Sequence, residues 1–406
     1  MLFIASNAEH CSLSETTNEL LDKHHVSISR QAFDERFDET AVGFIKTIFE
    51  EQFSKQINGT LDNDFLKLFK AVRIKDGTRI ELPDRLKDYF KGFGGKKASA
   101  SGICIQYEFD IKTGKVIDLA ITDARASDSK DAKSKIDDVN EGELILRDLG
   151  YFSLDIVNQI IQRKAFIISR LNTSTSVFDQ EGNELSFTAL YKQMTEEKTS
   201  HQEKQVFIGK EHMIPIRLVI DIVPEEVYRD RIRKIKAYNR RKGHTTTDAY
   251  KARCRFNLFI TNTDSQDVSS KQVGQLYKLR WQIELMFKIW KSICGIDKLK
   301  PMKYHRFVCI LYAKLLMLQI NNQVFNLIQI RLFKKEKKLL SKFKCYKTLV
   351  KYFIKFRTIA RLKKKKWKLY LNEMTTMFLK NHWLDGKKNK ITFITIFELN
   401  TLKSKQ

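Results

Sequence analysis

Residues 142–171 read GELILRDLGYFSLDIVNQIIQRKAFIISRL. The first part is a short apolar strand that ends at an aspartate, Asp148. SLDIVNQIIQRK (153–164) follows with helical periodicity, and AFIISRL (165–171) returns as a strand. Strand, helix, strand in this order is the α/β pattern of a mixed sheet with crossovers. Upstream, LFKAVRIKDGTRIEL (68–82) alternates and is expected to break at Asp76-Gly77, a turn-type dipeptide. SGICIQYEFDIKTGKVIDLAITD (101–123) reads as two strands with a turn at Lys112 to Gly114. Downstream, residues 172–255 look like an insertion. It holds a polar stretch, a strand (IPIRLVIDIV, 214–223) and a basic segment, YRDRIRKIKAYNRRKG (228–243). RFNLFITNT (255–263) is again a strand. VSSKQVGQLYKLRWQIELMFKIWKS (268–292) reads as one long helix with a Ser-Ser capping start.

The flanks read as helical. SLSETTNELL (12–21) opens with capping-type residues, and SISRQAFDERF and ETAVGFIKTIFEEQF follow with helical spacing. Three short helices suit a small helical domain or a helix-turn-helix, and the pattern does not separate the two. The chain beyond 300 is expected to be mostly helical. No internal repeat is visible.

The chain has 406 residues, 42% of them hydrophobic, with a net charge of +26. That is enough for two or three domains with a sizeable core, and it excludes a disordered chain. The longest apolar run, Phe307 to Ala313, is interrupted by Lys314, so no membrane span is expected. MLFIASNAEH lacks the basic start and apolar core of a secretory signal, which points to a cytoplasmic protein. The six cysteines show no C-x-x-C spacing, and His24-His25 has no Cys or acidic partner at ligand spacing. Reduced thiols are expected, and a zinc site is not.

The charge is uneven. Residues 331–406 hold 23 Lys or Arg against 4 Asp or Glu, a net of +19. The densest run is RLKKKKWKLY (361–370). Phe343, Tyr346, Tyr352, Phe353, Phe356 and Trp367 interleave with these lysines, so a folded helical region is expected. Such a surface attracts a polyanion, nucleic acid first among them. A second basic run, 229–242, holds eight Arg or Lys. It reads equally as an exposed helix face or as a phosphate-tracking surface. Arg170, at a strand end, reads as a rim ion pair or a DNA contact.

On a continuous helix from Val273 to Ser292, Tyr277, Arg280, Glu284 and Lys291 fall within roughly 60° of one another. Leu279, Ile283, Met286 and Trp290 lie on the flank that would pack on a core. A carboxylate between two cations and a phenol suits a group presented to a phosphate and a metal. Asp76 and Asp148 each follow an apolar strand. If those strands are neighbours, the two carboxylates and Glu284 supply three hard oxygen donors. Such a set suits two Mg²⁺ ions about 3.5–4 Å apart. Strand-end aspartates are also common turn formers, and this alternative stands on the residues alone.

The spacing Tyr277, Arg280, Glu284, Lys291 matches the Y-R-E-K signature and resembles the bacterial insertion-sequence 4 family of DDE transposases. KDGTRIELP (75–83), LRDLGYF (146–152) and FIISRL (166–171) resemble that family's blocks around its first two catalytic aspartates. RKGHTTTDAYKARCRFNLFITNT (241–263) resembles the block before the signature. The similarity covers roughly 65–295.

The resemblance implies an α/β fold: a ribonuclease H-like catalytic core with a β-rich insertion, flanked by N-terminal and C-terminal helical regions. The implied division is a DNA-binding helical region at 1–65, core at 66–171, insertion at 172–255, core again at 256–300, and a basic helical region at 301–406. It implies cut-and-paste transposition: cleavage at element ends and strand transfer into target DNA. The protein would act as a homodimer on terminal inverted repeats and would associate with the nucleoid when DNA-bound. Asp76, Asp148 and Glu284 would be the catalytic and metal-binding triad, with Mg²⁺, two ions, or Mn²⁺ in its place. Tyr277, Arg280 and Lys291 would contact DNA. Where many relatives have a His-Asp pair, this chain has Ser127-Asp128, and Asp128 receives no role. The alternatives are an inactive or domesticated sequence-specific DNA-binding protein, and a ribonuclease H-like nuclease without strand transfer.

Overall fold

A computed structural model describes residues 12–56, 65–95, 98–336, 338–353, 355 and 364–384. Cys11, Phe356 and Lys363 lie outside the described residues. In chain order the elements begin with α1 (Leu13–His24), α2 (Arg30–Glu35) and α3 (Glu39–Ser54). Strands β1 (Val72–Leu82), β2 (Ser101–Asp110) and β3 (Val116–Asp123) follow, then α4 (Asp128–Ser134), β4 (Leu144–Arg147), α5 (Leu154–Gln162) and β5 (Phe166–Arg170). Next come β6 (Val177–Phe178), α6 (Phe187–Glu196), β7 (His201–Ile208), β8 (Ile214–Ile222), α7 (Glu225–Lys242), α8 (Asp248–Arg253) and β9 (Phe256–Thr261). The chain continues with α9 (Ser270–Lys278), α10 (Trp281–Ser292), α11 (Tyr304–Glu336), α12 (Lys342–Lys351) and α13 (Lys364–Asn381). This is a mixed α/β protein, and its contacts divide it into two compact units.

The first unit takes in the described residues up to Leu66, Lys75–Ala126 and those from Trp281 onward. Its strands lie in the order β3-β2-β1. β2 and β3 form the expected antiparallel hairpin, with Ile105 opposite Ile121. Gly114 closes its turn at φ +69°, a left-handed conformation that favours glycine. Asn322 and Asn326 of α11 donate to the Gly114 carbonyl at 3.2 and 3.1 Å. Any Cβ at Gly114 would sit 2.3 Å from the Asn326 amide. Helix α3 packs along α11, with the Phe49 and Tyr312 rings edge to face at 5.5 Å. α11 is long and apolar enough to cross a membrane by length and composition, contrary to the reading of its interrupted run. However, 83% of its most apolar window is buried inside the protein. Lys314 is buried there and donates to the Gly295 carbonyl at 2.5 Å, which satisfies an amine that burial would otherwise penalise.

β1 corrects one expectation. The strand runs unbroken from Val72 to Leu82, straight through Asp76-Gly77. Gly77 serves close approach here and makes no turn: a Cβ on it would lie 3.0 Å from Cys104 Sγ and 3.1 Å from the Gln106 amide on β2. Lys75 is fully buried and bonded to Asp118 at 2.8 Å, with Glu108 at 3.9 Å. Asp76 is therefore a mid-strand residue, half-buried, on the face opposite Lys75.

The second unit comprises Lys67–Ile74 and Ser127–Arg280. Its strands lie in the order β4-β5-β9-β8-β7-β6. β4 and β5 are parallel, joined by α5 as the strand–helix–strand reading requires. The start of the β1 segment lies alongside, where the Leu144 N–H donates to the Ala71 carbonyl at 2.9 Å. The core is aliphatic, with Ile145, Ile156, Ile160, Ile167, Leu218 and Ile260 in one buried cluster. The segment 172–255 is mixed and not β-rich. β6, β7 and β8 have 2, 8 and 9 residues, while α6, α7 and α8 have 10, 18 and 6. At the edge of this sheet His201 bridges two elements, with Nδ1 2.5 Å from Asp221 of β8 and Nε2 2.7 Å from Ser270 at the start of α9.

Candidate active site

The long helix expected over 268–292 is two helices. Its start is as read: Ser269 caps α9 in a box with Gln272. The helix stops at Lys278, and α10 begins at Trp281. At the break the Leu279 and Arg280 N–H groups donate to the carbonyls three residues back, Leu276 and Tyr277. The four signature residues therefore do not share one continuous helix. Tyr277 and Arg280 fall in the second unit, and Glu284 and Lys291 in the first. The apolar flank is as expected, because Leu279, Ile283, Met286 and Trp290 are all buried.

In the second unit Asp148 directly follows β4 and precedes the short 3-10 turn Leu149–Tyr151. The apolar run LILR is fully buried, so the strand's end fixes where the carboxylate emerges. The Tyr277 hydroxyl donates to Asp148 Oδ1 at 3.4 Å. Tyr277 is 4% exposed, and burial pushes its phenol above the ordinary value of 10.0 despite the nearby Arg280. The hydroxyl therefore stays protonated and donating at neutral pH. The Tyr277 ring lies 5.3 Å from Phe259, with the Arg170 and Arg280 guanidinium groups at 5.6 and 5.9 Å from its centroid. Arg170 is exposed at the end of β5 and joins this cluster; no ion pair at the rim is recorded for it among the described residues. Asp128 opens α4 beside the same loop, and a Cβ on Gly150 would lie 3.3 Å from its Oδ2.

In the first unit Asp76 is half-buried on β1, and its Oδ1 accepts from the Gly77 N–H at 2.8 Å. Glu284 is half-buried in the first turn of α10. Lys291 Nζ donates to the Arg79 carbonyl at 3.1 Å, three residues beyond Asp76 on the same strand. Arg79 itself bonds the Ala124 and Ala126 carbonyls at 3.0 and 3.3 Å. Among the described residues, no three His, Cys, Asp or Glu side chains are grouped closely enough to cage a metal ion unaided. Each unit nonetheless carries hard oxygen donors of the kind a divalent cation takes. Asp76, Asp148 and Glu284 are carboxylates that keep contact with solvent, and such ions commonly complete their shell with phosphate and water.

Sequence reasoning paired none of these contacts. Arg170 and Asp128 were visible as residues that follow or precede an element, but nothing local shows that the first meets Tyr277 and the second meets Gly150.

Residues 67–320 match the transposase DDE domain family. The chain is 31% identical, over 77% of its length and 69% of the relative's, to the transposase for insertion sequence element IS231F of Bacillus thuringiensis subsp. israelensis. It is 29% identical, over 93% of its length and 83% of the relative's, to the transposase for insertion sequence element IS1151 of Clostridium perfringens. A solved piggyBac transposase synaptic complex with hairpin DNA aligns at a TM-score of 0.43 and 15% identity, covering 96% of this chain and 77% of that one.

Proposed function

The chain belongs to the DDE transposases of insertion sequences, enzymes that cleave DNA and transfer strands, and from that premise we propose that Asp76, Asp148 and Glu284 are its catalytic carboxylates. The observation that carries this reading is the contact between Tyr277 and Asp148. These residues are 129 positions apart, and a buried phenol of the Y-R-E-K signature hydrogen-bonds the second aspartate of the proposed triad. The antiparallel β2–β3 pair beside β1 in one unit, and the parallel β4–β5 pair in the other, support a ribonuclease H-like core. The 172–255 segment would be its insertion, with helical regions at 1–65 and 301–406 flanking core segments 66–171 and 256–300.

DDE transposases depend on divalent metal. Here the three carboxylates would hold Mg²⁺, as two ions, with Mn²⁺ able to substitute. When bound, such ions activate the attacking water or 3′ hydroxyl and neutralise charge on the leaving oxygen. The chain's own residues hold and orient. The Tyr277 hydroxyl fixes the rotamer of Asp148. Arg280 offers the scissile-end phosphate two parallel donors, and Lys291, braced on the Arg79 carbonyl, offers a point charge. The substrates would be terminal inverted repeats and target DNA, bound by a homodimer in the cytoplasm, nucleoid-associated when on DNA.

The test uses Asp76→Ala, Asp148→Ala and Glu284→Ala on element-end duplex. Each should abolish nicking while gel-shift affinity persists, because phosphate contacts elsewhere survive. A variant that nicks like wild type removes its residue from the triad.

A further inference from the structure

Helix α7 has a built polarity that the catalytic reading does not use. One side faces the protein: Tyr228, Arg231, Ile232, Ile235 and Asn239 are all half-buried. Arg231 pins this side down, donating to the Cys254 and Phe256 carbonyls at 3.0 and 2.8 Å and to Asn257 Oδ1 at 2.6 Å. Arg255 adds a clamp, bonded to Glu225 at 2.9 Å and stacked 3.8 Å from the Tyr228 ring centroid. With that side anchored, the other is fixed toward solvent.

Arg229, Arg233, Lys236 and Arg240 are all exposed. At about 100° per residue they fall within roughly 60° of one another, in a straight line about 16 Å long. Arg229 is paired with Glu225 at 3.3 Å, and Arg233 with Asp230. These are exposed pairs within one helix, screened by solvent and readily exchanged for a phosphate. Lys236 and Arg240 have no acidic partner among the described residues. The helix dipole accounts for cations in the last turn, such as Arg240, Arg241 and Lys242, but not for a line that begins in the second turn.

We propose that the Arg229–Arg233–Lys236–Arg240 line is a sequence-independent binding ridge for the phosphate backbone of duplex DNA. A duplex presents closely spaced phosphates along its surface, and a line of cations of this length can meet several of them. The ridge carries only cations along one straight exposed line, the chemistry that phosphate oxygens take, and phosphate contacts carry no sequence information. The proposal rests on the transposase reading for its partner. It is tested by equilibrium binding in EDTA, where no cleavage enters, so either can fail alone.

The experiment measures log K against log salt for wild type and for the Arg229→Gln/Arg233→Gln/Lys236→Gln/Arg240→Gln variant. Two duplexes of equal length are used, one carrying the element end and one unrelated. Each lost phosphate contact removes roughly 0.9 from the slope. The variant should lose about 2 to 3.6 on both duplexes and keep the wild-type thermal midpoint. If it does not fold, Lys236→Gln/Arg240→Gln is measured instead, with an expected loss of about 1.8. Lys192→Gln/Lys198→Gln/Lys210→Gln, three exposed cations elsewhere in the same unit, should change the slope little. An unchanged slope in the ridge variant overturns the proposal. So does a loss confined to the element-end duplex, or an equal loss per charge in the lysine control.

Discussion

Replacing Tyr277 by Phe isolates one atom. The hydroxyl makes a 3.4 Å hydrogen bond to Asp148 Oδ1, while the ring packs at 5.3 Å against Phe259 and beneath two guanidinium groups. Phe keeps every ring contact. A hydrogen bond to a charged group is worth ~1.5–3 kcal/mol, and this one is near the upper limit of length, so its net worth falls below that range, at about 1 kcal/mol. Asp148 is only half-buried, so water can replace the phenol and global stability should move by less than that. If the bond serves to hold the carboxylate in its productive rotamer, the same ~1 kcal/mol appears in the barrier as a roughly five-fold slower first nick. Tyr277→Ala is the contrasting change. It empties a site that is 4% exposed and should cost ~3–5 kcal/mol of stability. The assay pairs a single-turnover nicking time course on element-end DNA with urea unfolding of both variants. A wild-type nicking rate in the Phe variant would show that the hydroxyl does not position Asp148. A loss of a thousand-fold would refute the reasoning from the other side, since it would mean that the hydroxyl acts on the phosphate itself.

Mg²⁺ or Mn²⁺ should support nicking and Ca²⁺ should not, because Ca²⁺ takes longer and looser oxygen coordination; full activity in EDTA would refute the metal role. Lys75→Met should destabilise by ~3–5 kcal/mol, because it strands Glu108, which is 1% exposed, and Asp118 without their cation; a urea midpoint change worth under about 1 kcal/mol would show the pair to be dispensable. Stability should fall as the solution turns alkaline. Burial raises the Cys294 thiol to about 12, Cys309 to about 11 and the Tyr370 phenol to about 12. Above pH ~9 for the two thiols, and above ~10 for the phenol, the unfolded chain releases protons that the native chain retains, so stability declines by at most about 1.4 kcal/mol per pH unit per such group until the native groups titrate. Urea midpoints at pH 7, 9 and 10.5 check this, and a flat profile would contradict it.

What was legible in the sequence was what local chemistry decides. The strand–helix–strand of 142–171, the hairpin closed at Gly114, and the capping boxes at Ser12 and Ser269 all follow from periodicity and short polar side chains, and the structure has each of them. What was not legible depends on partners far along the chain. Asp76-Gly77 carries a turn-type pair, yet the strand continues because β2 packs against the bare glycine face and Lys75 is held by Asp118. The short strand β6 and the start of β7 have no apolar alternation to announce them. β7 begins HQEKQ, polar on both faces, and pairs with β8 through backbone bonds and the His201–Asp221 contact.

The break between α9 and α10 has the widest consequence for the candidate site. No Pro or Gly marks it, since Leu279 and Arg280 are good helix formers and the only nearby glycine, Gly274, lies well inside α9. Leu279 is 1% exposed and Arg280 9%, so both side chains are drawn inward at successive positions. A tight turn of two residues ends α9 at Lys278, and α10 begins at Trp281. The signature spacing of three, four and seven residues therefore spans two helices and the turn between them. It places Tyr277 near the end of one helix, against Asp148, with Arg280 in the turn that follows, and puts Glu284 and Lys291 on the next helix, whose last turn is braced on β1 three residues beyond Asp76. Each half of the signature thus has its own aspartate: Tyr277 touches Asp148, and Lys291 grips the strand that carries Asp76. Lengthening the turn by an inserted alanine after Leu279 should accordingly leave both local contacts intact while uncoupling the halves in sequence. Nicking should collapse with little change in DNA affinity, and an insertion variant that nicks normally would show that the spacing across the break is not a catalytic constraint.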